Sequence, residues 1–106
     1  MQETKTISVL IERAGDWWVA QCLQHDLATQ ARTISELHYE IQRLLIAHIV
    51  ACEDQGIEPF QIPPAPREFW AKYEATQIAT SIAAGVHTPS IKTKHQQPKV
   101  ETRLAD

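Results

Sequence analysis

From Thr6 to Arg13 the chain alternates. Ile7, Val9 and Ile11 share one side, and Ser8, Leu10 and Glu12 the other. β-Branched residues at every second position predict a half-buried strand. Ala14-Gly15-Asp16 is a short connection with a glycine, as a hairpin requires. Trp17 to Leu23 then reads as a second strand, with Trp17, Val19 and Gln21 on one side and Trp18, Ala20 and Cys22 on the other. Gln24-His25-Asp26 breaks the alternation, and Leu27 to Arg32 forms a third, shorter strand. Short connections make these three strands an antiparallel meander.

The period then changes. Ile34, Leu37, Ile41, Leu44, Leu45, His48, Ile49 and Cys52 recur at intervals of three and four, the stripe of an amphipathic helix. Thr33-Ile-Ser-Glu36 has the capping-box pattern: Thr33 accepts a first-turn backbone N–H, and Glu36 reaches back to the Thr33 amide. Gly56 is the natural stop, so this helix is expected over about 34–54. Gly56 to Pro66 holds four prolines in eleven residues and must run extended. Ile57, Phe60 and Ile62 within it suggest a path along the body of the domain. Arg67 to Ala84 reads as a second helix ending at Gly85. From His87 onward polar residues and two prolines predict a disordered tail.

The expected architecture is therefore α+β. A β-β-β-α core spans 1–58, with the helix on one face of the sheet. A proline-rich connector (59–66), a C-terminal helix (67–85) and a flexible tail (86–106) follow. A chain of 106 residues is one domain, and so small a core makes self-association a natural expectation. The formal charge of −3 argues against tight, sequence-independent binding to a phosphate backbone over the whole surface. The basic residues Lys92, Lys94, Lys99 and Arg103 of the tail are the local exception. Two cysteines make no disulfide framework, the opening MQETKT lacks a signal pattern, and the longest apolar run falls well short of a membrane span. The expected location is cytoplasmic, with no membrane association and no cofactor.

The stretches ISVLIERAGDWWVAQC, the helix start Thr33-Ile-Ser-Glu-Leu37 and GIEPFQIPPAP together resemble the HicB antitoxin family over roughly residues 5 to 67. The resemblance implies a small α/β unit described as a partial RNase H fold, with sheet packed on helix. It also implies a role without catalysis: binding and blocking a small ribonuclease toxin, commonly as a dimer or larger assembly. Two family elements are altered. Leu23-Gln-His-Asp-Leu27 stands where a Pro-Asp-Leu-Pro-Gly-like element is usual, and Ala31-Arg32-Thr33 replaces Gly-Asp-Thr. Many relatives add a DNA-binding module, but the C-terminal segment here shows neither a helix-turn-helix nor a ribbon-helix-helix pattern.

An RNase H-like nuclease would hold its cations with clustered acids. The local supply is Glu12, Asp16, Asp26, Glu36 and Glu40, and the meander places Asp16 at the opposite end of the sheet from Asp26. Cys22-x-x-His25 with His48-x-x-x-Cys52 has zinc-like spacing, and its bland reading is a buried thiol and a partly buried imidazole on the apolar stripe. Cys22 with His25, and Ser35 with His38, are nucleophile–base pairs by proximity alone, with no third group in view. Adjacent Trp17 and Trp18 must face opposite sides of a strand, so one indole is left over from the core. Either Phe69, Trp70 and Tyr73 of the second helix cover it, or these aromatics mark a surface for a protein partner or a second copy. The leading expectation is a HicB-like protein-binding domain. The alternatives are a metal-dependent nucleic-acid-processing enzyme and a nucleic-acid-binding regulator that uses the basic tail.

Overall fold

The computed structural model describes residues 5–76, 79–80, 94–95 and 97–105, with 79–80 described in backbone only. The predicted meander is present: β1 (Thr6–Ala14), β2 (Trp17–Cys22) and β3 (Ala28–Ala31) pair antiparallel in sequence order. Gly15 takes φ 63° in the hairpin, a conformation that suits glycine. The long helix α1 (Ile34–Gln55) follows, then a proline-rich strap, the short helix α2 (Arg67–Ala75), and strands β4 (Ala79–Thr80) and β5 (Lys99–Leu104). The chain is α+β, with a five-stranded mixed sheet ordered β3-β2-β1-β5-β4.

Two expectations are corrected here. The tail expected to be disordered contains β5, which lies parallel to β1 with Ile7 opposite Val100, Val9 opposite Thr102 and Ile11 opposite Leu104. Val100 and Leu104 pack on the core and Thr102 is buried, so three inward positions suffice to order a strand against the waiting edge of β1. The second helix stops at Ala75 rather than Ala84. Thr76 turns extended (φ −85°, ψ 127°) and its hydroxyl donates to the Lys72 carbonyl at 2.8 Å. Arg103 from β5 donates to the carbonyls of Tyr73 (3.0 Å) and Thr76 (3.4 Å), so a cation closes the helix end. Ala79 and Thr80, expected to be helical, pair with β5 instead. The expected stop at Gly85 and the start of the tail lie outside the described residues.

Helix α1 covers the first face of the sheet. Leu37, Ile41, Leu45 and Ile49 bury against Ile7, Val9, Ile11, Ala20, Cys22 and Ala31, and Phe60 closes one end of this core. Helix α2 covers part of the second face, where Tyr73 meets Leu10, Leu23 and Ala65 with Phe69 and Trp70 alongside. The strap joins the two layers. It leaves α1 at Gly56 (φ 69°), where the Ile57 amide donates to the Cys52 carbonyl at 3.0 Å. It then crosses the end of the sheet, tied by Asp26 N–H to Pro63 O (2.8 Å) and Ala65 N–H to Leu23 O (2.9 Å).

At the start of α1 the Glu36 amide donates to Thr33 Oγ1 at 3.1 Å, so half of the expected capping box is formed. The return bond from Glu36 to the Thr33 amide is not made, and Glu36 is left as an acid in the first turn, favourable to the helix dipole. Thr33→Ala is expected to lower stability by about 1 kcal/mol. A thermal melt that leaves the midpoint unchanged would exclude this cap as a contributor.

Candidate functional site

The strap gathers the histidines. Phe60 is 6% exposed and sits at φ 62°, a left-handed conformation that costs a bulky residue about 1–3 kcal/mol. Its amide donates to His48 Nε2 at 2.8 Å. The His48 ring lies 4.9 Å and the His25 ring 5.3 Å from the Phe60 ring, and the Lys5 ammonium lies 5.5 Å from its centre. His25 Nδ1 donates to the Ile62 carbonyl at 2.9 Å. Of the four residues with zinc-like spacing, only His48 and Cys52 meet, with Sγ 3.7 Å from Nε2. The His25 and His48 rings both lie against Phe60, and Cys22 points into the first core. Among the described residues no group of three or more His, Cys, Asp or Glu side chains is placed to hold a metal ion. Cys22 is buried in the first core, and that burial pushes its thiol up to about 12, away from the thiolate a nucleophile needs.

The second proposed nucleophile–base pair makes no hydrogen bond through His38 Nδ1. Ser35 is exposed, whereas His38 is 3% exposed, with Nδ1 lacking a hydrogen-bond partner and burial holding its pKa below the ordinary value. The acids do not converge on one point. Asp26 accepts from Gln21 Nε2 at 2.8 Å, Glu12 pairs with Lys72 of α2 at 3.1 Å, and Glu40 pairs with Arg43 at 2.9 Å. Asp16 is exposed in the hairpin, and Glu36 is exposed at the start of α1.

The five aromatics singled out from sequence fall in three places. Trp18 packs at the edge of the first core, with the Arg13 guanidinium 5.2 Å from its ring. Tyr73 is buried in the second core beneath Arg103 (4.4 Å), and Phe69 and Trp70 flank it. Trp17 belongs to neither cluster. The β1–β2 register sets it on the second face with Val19, and both are half-buried. Helix α2 packs over β1, and its Phe69, Trp70 and Tyr73, which one reading of the sequence placed over the leftover indole, cluster with Leu10, Leu23 and Ala65 instead. The Arg32 guanidinium stacks 4.1 Å from the Trp17 ring. Beside this patch β3 ends the sheet, and among the described residues no strand pairs with its outer edge.

The basic residues of the former tail are dispersed. Arg103 is committed to Tyr73 and the end of α2, Lys99 is exposed on β5 opposite Thr6, and Lys92 lies outside the described residues. The backbone amides of Lys94 and His95 donate to the Glu53 carboxylate at 3.1 and 2.8 Å, and His95 Nδ1 meets it at 2.5 Å. Glu58 lies 3.5 Å from the other ring nitrogen of His95. The hydrogen bond to His95 holds Glu53 below the usual carboxylate range, and the same bond raises His95. This anchor and the role of Phe60 were not read from the sequence. Nothing local distinguishes Glu53 or His95 from surface residues, and they are 42 positions apart. On the outer side of α1, Tyr39, Ile46, Val50 and Ala51 line a concavity of about 570 Å³.

No family model, curated protein or solved structure matches this chain. Among the described residues no helix is long and apolar enough to cross a membrane.

Proposed function

We propose that the chain is a protein-binding domain without catalysis, similar in kind to the HicB antitoxins, and that its partner is a small basic protein such as a ribonuclease toxin. The observation that carries this reading is the part of the second sheet face that α2 leaves open. There Trp17 and Val19 are half-buried, with Arg32 stacked on Trp17, next to the outer edge of β3. A large indole and an arginine side by side are the residue types that dominate binding energy at protein interfaces. The chain's net charge of −3 suits a basic partner.

The test is native affinity purification of the tagged chain from its own host, for the wild type and for Trp17→Ala. The expected result is a small basic protein in stoichiometric amount with the wild type. Its affinity for the purified variant should fall about 30-fold or more, as at an interface hot spot, with the melting curve of the variant preserved. Recovery of the chain only with itself would remove the antitoxin role. Magnesium-dependent cleavage of RNA or hybrid substrates that disappears in Asp26→Asn would replace the binding reading with the nuclease reading.

A further inference from the structure

We propose that His48 is an acid-sensitive latch: protonation of its Nε2 releases Phe60 and lifts the first half of the strap off the end of the first core. The proposal stands independently of the partner proposed above.

The geometry selects one protonation state. An imidazole nitrogen accepts a hydrogen bond only through its lone pair, so the Phe60 amide at 2.8 Å requires a neutral His48 with its proton on Nδ1. A second proton on the ring would set two donors against each other at that contact. The residue held there is the one least able to hold itself, because Phe60 is in the left-handed region without being glycine. Its conformation persists because the surrounding contacts impose it.

The groups facing His48 do not compensate a positive charge. From α1 comes the Cys52 thiol, from the β2–β3 connection His25, from the residue before β1 the Lys5 ammonium over the far ring, and from the strap the Phe60 amide. Glu58, the acid of the strap, lies beside His95. Among the described residues no carboxylate pairs with His48. Burial, and secondarily the charge of His25, hold its pKa below the ordinary value.

The release is local. Asp26 N–H to Pro63 O and Ala65 N–H to Leu23 O are backbone bonds that do not titrate, and His25 Nδ1 donates to Ile62 O in either protonation state. The strap therefore pivots about Ile62–Ala65, Phe60 leaves the first core, and the apolar residues it covered face solvent. The sign follows from linkage. A base whose pKa is depressed in the closed form stabilises that form above the open-form value of about 6.5, and the contribution is lost as pH falls through the lower, closed-form value. Between those two values the opening constant rises by about tenfold per pH unit for one proton.

The test is amide hydrogen exchange by NMR on the full chain, expressed as protection relative to the unstructured rate at each pH. The imidazole nitrogens of His48 are titrated in the same samples. The expected result is that protection of the Phe60 amide falls as His48 takes up its proton, while Val9 at the centre of the sheet stays protected. In His48→Gln the side-chain carbonyl can accept the same bond without titrating, and Phe60 protection should then be flat over that range. The proposal is overturned if Phe60 stays protected while His48 titrates, if it loses protection only together with Val9, or if His48→Gln shows the same pH dependence. Should that variant not fold, coincidence or mismatch of the Phe60 amide shift with the His48 ring titration in the wild type decides the question without it.

Discussion

A chain that stops before Lys99 does not fold to a stable sheet. Strand β5 lies against β1 along six residue pairs, from Thr6–Lys99 to Ile11–Leu104. Without it β1, which carries the fully buried Ile7, Val9, Leu10 and Ile11, becomes an edge strand with unpaired backbone groups. The truncation also removes Val100 and Leu104 from the first core and Arg103 from the end of α2. One buried Leu→Ala change costs about 2–5 kcal/mol. Loss of a paired strand together with these two apolar side chains and the Arg103 contact exceeds that and reaches the whole stability of a small domain, about 5–15 kcal/mol. The expected far-ultraviolet circular dichroism melt is non-cooperative, and the amide NMR spectrum collapses toward random-coil positions. A cooperative melt within a few degrees of the full-length midpoint would show that β5 is an accessory to the sheet. The result also bears on the nucleic-acid alternative. Deleting the chain beyond Gly85 removes β5 along with the basic residues, so loss of binding in that truncation would not identify a basic tail as the contact.

Much of the sheet was legible because its signal is local. Alternation in Thr6–Arg13 and Trp17–Leu23, a glycine turn between them and a capped stripe from Ile34 each act within a few residues, and the structure follows them to within two residues at most boundaries. Strand β5 was not legible in the same way. Val100, Thr102 and Leu104 do alternate, but the opposite positions are Lys99, Glu101 and Arg103, which by composition resemble a solvated tail. What orders them is the edge of β1, some 90 residues earlier in the chain, and no local window contains that edge. A clue was present in β1 itself. The uninterrupted run Val9-Leu10-Ile11 is what a central strand buried on both faces shows, whereas an edge strand of a meander should be polar on one side.

The candidate sites divide on the same principle. The adjacency of Trp17 and Trp18 alone requires their rings to face opposite sides of the sheet, and this is their arrangement. Whether α2 would reach Trp17 depended on where a nine-residue helix docks, which the later β5 and the path of the strap determine. The four residues with zinc-like spacing were a pattern of sequence distances. In space both His25 and His48 lie against the ring of a phenylalanine from the strap, Cys22 is buried in the first core, and only His48 and Cys52 approach each other. The signal that could have pointed to the ring contact was the lone aromatic among the prolines of Gly56–Pro66, an apolar side chain that the strap must bury somewhere.

Leu10 is the position where that reading of β1 meets its sharpest test. By simple alternation it shares a side with Ser8 and Glu12, and a half-buried strand would turn it to solvent. Instead it is fully buried against Leu23, Ala65 and Tyr73. Leu10→Ala is therefore expected to cost about 2–5 kcal/mol, as a buried core truncation does. Glu12→Ala, two residues along on the same face, removes one exposed ion pair to Lys72 and should change stability by about 0–1 kcal/mol. The effect should also be uneven in space. A helix of nine residues is too short to persist alone, so α2 stays ordered through its docking on Leu10 and through Arg103 at its end. Urea unfolding of the two variants gives the contrast in stability. Hydrogen exchange should show α2 losing protection first in Leu10→Ala while α1 and the first core retain theirs. Equal, small losses in both variants would mean that the second core contributes little and that α2 is held by its ends alone.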